Sequence, residues 1–278
     1  MMQLFNELSQ QCSKATTEKY STSFSSAIKL LHSDLRVPIY NIYGFVRFAD
    51  EIVDTFHQFR KDELLQEFRR ETFAALARGI SLNPILNSFQ MTMNQYAIPQ
   101  QLVIDFFSSM EMDLNKTSYN SEGYKQYIYG SAEVVGLMCL YIFCEGDKQQ
   151  YEKLQPFARS LGAAFQKVNF LRDMKADYEQ LSRTYFPGVD FRNFTPRMKQ
   201  EIEADIAADL DHAYQGILQL PHKARFGVYV AYKYYLSLFR KIKKTAPANI
   251  LEQRIRIPRY GKMYILAKAG LRSQFNLL

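Results

Sequence analysis

Apolar residues recur at helical spacing along almost the whole chain, and no stretch alternates in the way a half-buried strand requires. Only nine Pro and twelve Gly punctuate the chain, and they are read as clustering between these periodic segments. A chain of this kind buries its apolar faces by packing helix on helix. With 278 residues, 47% of them hydrophobic, a large core is within reach, in one domain or two. No low-complexity tract, repeat or shift of composition marks a linker.

Two of the expected helices carry paired acids. The first has Tyr43-Gly-Phe-Val-Arg47-Phe-Ala-Asp50-Glu51-Ile-Val-Asp54, the second Asn169-Phe-Leu-Arg172-Asp173-Met-Lys-Ala-Asp177. In each, two Asp stand four residues apart with an Arg ahead of the first. On a helix that spacing puts both carboxylates on one face, one turn apart. Close carboxylates repel and are stabilised by a cation. Hard oxygen ligands suit Mg²⁺, which keeps several waters and completes its shell with phosphate oxygens. The Arg can fork onto a phosphate. A lone Asp pair is more often a solvated helix face. Here Asp50 and Asp54 border an apolar stripe (Ile39, Ile42, Tyr43, Val46, Ala49, Ile52, Val53), and the pattern recurs. Gln166, Asn169, Asp173 and Asp177 form one polar stripe on an otherwise apolar helix, which suggests a lined cavity. Two such pairs facing each other could hold a diphosphate through a metal cluster.

The other segments read as follows. Residues 3–31 carry spaced apolar positions, with Phe24, Ile28 and Leu31 on one side, and Ser21-Thr-Ser23 as a helix cap or turn. Val37-Pro38 is expected to open the helix of the first acid pair, since Pro suits a first turn. Residues 61–78 form a peripheral, charge-laced helix. Pro84 and Pro99 bracket another, and Pro99 starts the next, through Leu114. Asp105, Glu111 and Asp113 lack the paired spacing with Arg and read as surface or supporting groups. Tyr124 to Cys144 is the most apolar helix. Its run Val134 to Cys144 is too short to span a bilayer and fits a buried segment. Its small residues (Gly130, Ser131, Ala132, Gly136) indicate close packing first and room for a ligand second, and Glu133 needs a partner. Pro156 is expected to begin the helix of the second acid pair, which must stop before Arg183-Thr-Tyr185-Phe-Pro187. Residues 196–218 are an acidic amphipathic helix with a solvated face. Residues 221–244 carry Tyr229, Tyr232, Tyr234 and Tyr235, an aromatic stripe of the core type. The stretch Arg254 to Lys262 is basic with alternating apolar residues; it fits closure over phosphates, contact with anionic lipid, or a solvated turn before a final helix.

The formal net charge is +7, which favours nucleic acid, an anionic membrane surface or an anionic substrate. Cys12, Cys139 and Cys144 form neither a disulfide framework nor a metal-ligand spacing, and the N-terminus lacks a signal-peptide pattern. A reduced, cytoplasmic protein is expected. There is no dinucleotide fingerprint, no P-loop and no nucleophile elbow. His32, His57, His212 and His222 never fall at zinc-ligand spacing. The basic residues form no recognisable nucleic-acid module, so nucleic acid is not an expected partner.

These stretches resemble the phytoene/squalene synthase family of head-to-head prenyltransferases, over nearly the whole chain. Ser21-Thr-Ser23-Phe24 is similar to the family's Ser-x-Ser-Phe. The family's Tyr-x-x-x-Arg-x-x-Asp-Asp-x-x-Asp is matched by Tyr43, Arg47, Asp50 and Asp54, with Glu51 in place of the second Asp. Gln-x-x-Asn-x-x-Arg-Asp-x-x-x-Asp is matched by Gln166, Asn169, Arg172, Asp173 and Asp177, and Arg-x-Tyr-x-Pro by Arg183, Tyr185 and Pro187. Tyr129-Gly-Ser-Ala-Glu-Val-Val-Gly136 is similar to a further, looser motif in which Gly is usual at the position of Glu133. The resemblance implies a single-domain, all-α fold of the isoprenoid-synthase type, spanning residues 1–278, with helices around a central cavity. It implies that both Asp motifs face each other at the mouth and bind two prenyl diphosphates through Mg²⁺, with Mn²⁺ as a substitute, held by Asp50, Asp54, Asn169, Asp173 and Asp177. Phe24, Tyr43, Tyr129 and Tyr235 would line the cavity, and Tyr185 would stand with Arg172 and Arg183 at the diphosphate. The implied reaction joins two geranylgeranyl diphosphates to phytoene, in carotenoid biosynthesis. The alternatives are squalene or dehydrosqualene formation from two farnesyl diphosphates, with NADPH not excluded by the missing fingerprint, and a non-catalytic scaffold. Insolubility of such products and the +7 charge suggest peripheral contact at the inner face of a membrane. The sequence carries no signal for oligomeric state.

Overall fold

Helical periodicity becomes helix almost throughout. The computed structural model describes residues 1–115, 117–181, 183–189, 193–252 and 254–274. In order come α1 (Met2–Tyr20), α2 (Thr22–Ile28), α3 (Ser33–Asp54), α4 (Lys61–Arg78), α5 (Pro84–Gln95) and α6 (Gln100–Asn115). Then follow α7 (Ser121–Ile128), a π-helical turn (Tyr129–Glu133), α8 (Val134–Cys144), α9 (Lys148–Leu181), α10 (Pro196–Ile217), α11 (His222–Lys243), α12 (Pro247–Ile250) and α13 (Arg259–Gln274). Among the described residues the extended pairing is one isolated bridge, Ser118 with Thr184.

The caps follow local chemistry. The side chains of Ser21, Asn83, Asn120 and Thr195 accept from main-chain N–H groups in the first turns of α2, α5, α7 and α10. Gly79 ends α4 at φ 72°, a conformation that glycine adopts without strain. Two expected starts are corrected. α3 begins at Ser33, ahead of Pro38, and α9 at Lys148, ahead of Pro156. Each proline removes one ladder bond, but packing holds the turns before it. Leu35 is fully buried, Leu154 is buried, and Tyr151 lies 4.0 Å from Tyr141, centroid to centroid.

Residues 121–144 form one continuous helical run, longer than its apolar stretch, and long and apolar enough to cross a membrane by length and composition. It serves as a core element: Val134, Leu137, Met138, Leu140 and Ile142 are buried, and α8 packs on α3, α6 and α9. Of the small residues here, Gly130 serves close approach, while Ser131, Ala132 and Gly136 line the central cavity. A Cβ on Gly130 would stand 2.0 Å from Ser109 Oγ and 2.5 Å from the Asp105 carbonyl. Gly130→Ala is therefore expected to lower stability by about 1–3 kcal/mol, read from chemical denaturation with an unchanged m-value.

Buried apolar side chains fall into two clusters. One gathers around Phe45, which stacks on Phe89 at 3.8 Å and meets Phe68, Phe106 and Phe107. The other gathers around α9, α10 and α11 and takes in Tyr229, Tyr232, Tyr234 and Tyr235. The acids of α10 are not all solvated as expected. Lys167 Nζ bridges Asp205 at 2.5 Å and Asp209 at 2.7 Å, and Glu203 is buried against Lys199.

Candidate active site

α3 and α9 bring both acid pairs to one cavity of about 780 Å³. Ser21, Phe24, Tyr43, Arg47, Asp50, Asp54, Gln166, Asn169, Arg172, Asp173, Asp177, Tyr185 and Tyr235 all line it. The rest of the lining is mainly apolar, with Ile28, Ile39, Val135, Leu140, Phe143 and Leu161 among its members. Ser21 does two things: it caps α2 by accepting from Phe24 N at 3.2 Å, and it bonds the Tyr43 side chain.

The carboxylates destabilise one another. Burial and the neighbouring Asp54 push Asp50 up to about 8, against the pull of Arg47. Burial, then Asp173 and Asp54, push Asp177 up to about 8. Asp54 on α3 stands close enough to Asp177 on α9 to push its carboxyl up, and both pairs line the one cavity. About a third of the Asp50 side chain stays exposed, and that surface faces the cavity.

Arginines temper this charge. Arg47 pairs with Glu51 and stands 3.9 Å from Asp50, with its guanidinium 4.4 Å from the centre of the Tyr20 ring. Arg172 Nε donates to Asp173 at 2.9 Å, and Arg254 Nε lies 2.7 Å from the same carboxylate. Within the basic stretch, Arg254 thus turns toward the acids and lines the cavity. Arg256 is exposed, and the side chain of Arg259 lies outside the described residues.

Three residues singled out in the sequence do not line the cavity: Ser23, Tyr129 and Arg183. Tyr129 sits two residues beyond Tyr127, and residues two apart on a helix point to opposite sides. Tyr127 therefore faces the cavity, while the Tyr129 ring lies 5.2 Å from the Arg159 guanidinium and its hydroxyl bonds Asp105. Glu133 finds its partner in Arg159, at 2.5 Å. Arg183 stands behind the wall. It donates to Asp54 Oδ1 at 2.7 Å, to the Asp113 carbonyl at 2.8 Å and to the Val53 carbonyl at 3.3 Å.

Asp113 is the site residue that spacing rules passed over. It is buried and lines the cavity, not the surface. Tyr127 donates to it at 2.7 Å and Tyr119 at 3.4 Å, and Arg183 Nη1 stands 3.6 Å away. Burial pushes its carboxyl up to about 7, with the Arg183 guanidinium holding it back. One signal could have found it: Asp113 continues the buried stripe Val103, Phe106 and Met110, where an acid is out of place without partners.

An aromatic group forms the adjoining wall. Phe24 lies 5.9 Å from Tyr43, 6.0 Å from Phe165 and 5.7 Å from Tyr235, and Phe165 stacks on Tyr235 at 3.8 Å. Tyr235 donates to Asn169 Oδ1 at 3.3 Å. Burial holds the Tyr43 hydroxyl up at about 12, so it stays protonated.

Among the described residues no three His, Cys, Asp or Glu converge as a ready-made metal site. The donors present fit an ion that takes part of its shell from water and from ligand oxygens, as Mg²⁺ does. The Arg47 Nε donor is buried without a hydrogen-bond partner among the described residues, beside the acids, where an anion could accept from it.

The chain is similar to several known proteins. A family model described as squalene/phytoene synthase matches residues 17–261. A 15-cis-phytoene synthase from Paracoccus is 25% identical over 270 residues, covering 90% of this chain and 87% of that protein. A 4,4'-diapophytoene synthase from Staphylococcus haemolyticus is 28% identical over 196 residues, covering 68% and 66%. A solved dehydrosqualene synthase in complex with ligand superposes with a TM-score of 0.81 at 18% identity, over 97% of this chain and 98% of that one. The fold is the all-α, isoprenoid-synthase-type fold of squalene and dehydrosqualene synthases.

Proposed function

The chain belongs to the squalene/phytoene synthase family of prenyltransferases, and from that premise we propose that it joins two geranylgeranyl diphosphates head to head to give phytoene, releasing two diphosphates and using no reductant. The observation that carries this reading is the meeting of two Asp pairs, one from each long helix, on a single cavity that is otherwise largely apolar and aromatic.

Asp50, Asp54, Asp173, Asp177 and the Asn169 amide would hold Mg²⁺. The ion, when bound, supplies positive charge that stabilises the departing diphosphate. Arg47 and Arg172, now engaged by Glu51 and Asp173, would exchange those partners for diphosphate oxygens, two hydrogen bonds at a time. Gln166 lies on the same polar stripe and would orient the substrate head. Loss of diphosphate leaves an allylic cation on one prenyl chain. The double bond of the second chain attacks it, giving a new cation, and loss of a proton closes the three-membered ring of a cyclopropylcarbinyl diphosphate. A second ionisation, rearrangement and proton loss give the hydrocarbon. The faces of Phe24, Tyr43, Phe165 and Tyr235 stabilise positive charge, and the apolar lining keeps water from the cation. A Tyr43 that stays protonated offers no phenolate to trap it.

A cation in this site would show in stability. A carboxylate whose pKa is higher in the folded than in the unfolded state contributes stability that is complete below the unfolded value. That contribution is lost as pH rises through the folded value. For Asp50 and Asp177 the window runs from 3.8 to about 8. The rise in melting temperature produced by Mg²⁺ is therefore expected to grow from about pH 5 to about pH 8. A rise that stays flat across that range would count against metal binding at these residues.

The runner-up joins two farnesyl diphosphates to squalene or dehydrosqualene. Equimolar farnesyl and geranylgeranyl diphosphate in one reaction would separate the two readings. Mainly C40 product supports the proposal; mainly C30 product favours the runner-up.

A further inference from the structure

The cavity runs far beyond the acids. Its lining continues along α9 from Asp177 back to Leu154, and α10 with the turn after it joins at that far end through Ala213, Gly216, Ile217 and Leu220. None of these far-end side chains is polar. A ligand there meets no hydrogen-bonding side chain from α9 or α10, and the room left for an apolar tail is what discriminates.

Of the α9 and α10 side chains at this end, Phe157 is the largest, and it is fixed from two sides. The His212 imidazole lies 4.6 Å from its ring, centroid to centroid, and is itself held by Ser160 Oγ at 2.8 Å. One turn further along α10, Gly216 is buried against it, and a Cβ on Gly216 would collide with Phe157 Cβ and Cγ. Gly216 stands inside a helix, where glycine lowers stability relative to alanine, so the space it leaves to Phe157 is its use. A ring seated this closely on α10 cannot yield to a longer ligand by swinging into that helix.

The place of this ring fits one length of tail. Asn169 is the deepest of the proposed metal donors on α9, and Phe157 lies about 18 Å beyond it at 1.5 Å per residue. An extended isoprene unit is about as long as one helical turn. Along α9, three units counted from the diphosphate end short of Phe157, and the fourth comes level with it. A fifth would have to pass the ring.

Resting on the prenyl diphosphate reading, we propose that Phe157, seated between His212 and Gly216, sets the length of the prenyl chain that lies along α9. The test measures binding of unreactive thiolo analogues of farnesyl, geranylgeranyl and geranylfarnesyl diphosphate (C15, C20 and C25), with Mg²⁺ and without turnover. Wild type is expected to bind the C20 analogue most tightly and the C25 analogue about tenfold or more less tightly. Phe157→Ala should bring the C25 analogue within a few-fold of C20, and Phe157→Leu replaces it in the series if Phe157→Ala does not melt cooperatively. Phe157→Trp, which adds bulk at the same place, should weaken the C20 analogue about tenfold and leave C15 unchanged. The proposal is overturned if the smaller side chain leaves the C25 to C20 ratio as in wild type, or if Phe157→Trp weakens C15 and C20 alike. A wild type that prefers C15 would contradict the phytoene reading alone. The smaller side chain should then move the preference to C20, and a preference that stays at C15 would overturn the role of Phe157 as well.

Discussion

Replacing Asp50 or Asp173 with alanine is expected to reduce turnover by at least about a thousandfold, because several kcal/mol of charge stabilisation at the leaving group disappears and each 1.4 kcal/mol or so is tenfold. The fold should survive both changes. Asp50 is burdened by burial and by Asp54 and Asp113, so without metal Asp50→Ala should melt no lower than wild type. Asp173 is held by Arg172 and Arg254, and its loss frees two partly exposed arginines, a mild cost. Steady-state rates and melting curves, each with and without Mg²⁺, check both halves. Either variant with normal activity would remove that carboxylate from the metal-binding set.

Arg183→Met is expected to have the largest effect on stability. Arg183 is 6% exposed and ties Asp54 on α3 to Asp113 on α6. Removing one partner of a buried ion pair costs about 3–5 kcal/mol, because the other charge is left without compensation. Here Asp113 would be the orphan, and it would tend to take up a proton, so the penalty should be larger at high pH than at low. The double variant Arg183→Met/Asp113→Asn should recover most of the lost stability, since no unpaired carboxylate remains at that position. Activity should not return with it, because Asp54 would still lack the donor that fixes its orientation. Urea denaturation of the two single variants and the double variant gives the coupling energy. A coupling near zero would mean that Asp113 and Arg183 act independently.

What was legible in the sequence was local. An i,i+4 acid pair behind an Arg is a property of one helix, and so is an apolar stripe. The helices, both Asp motifs and the aromatic character of the cavity could therefore be expected in advance. What was not legible depended on partners far along the chain. The role of Asp113 is set by Arg183, 70 positions later, and Arg254 meets Asp173 across 81. A rule of local conformation starts α3 and α9 at their prolines, whereas buried Leu35 and Leu154 carry both helices further back. Tyr129 fits a motif, yet helix geometry turns Tyr127 to the cavity in its stead. Glu51 in the first motif is likewise a matter of contact, since it takes the guanidinium of Arg47.

Formation of a carbon–carbon bond between two prenyl chains can be measured directly. The protein is incubated with geranylgeranyl diphosphate and Mg²⁺, without NADPH, and hydrocarbon and released diphosphate are both quantified. The expected result is a C40 hydrocarbon with two diphosphates released for each molecule formed. Geranylgeraniol with one diphosphate per alcohol would contradict head-to-head condensation, because the cation would have been captured by water. Failure to consume geranylgeranyl or farnesyl diphosphate, with or without NADPH, would leave the scaffold reading in its place.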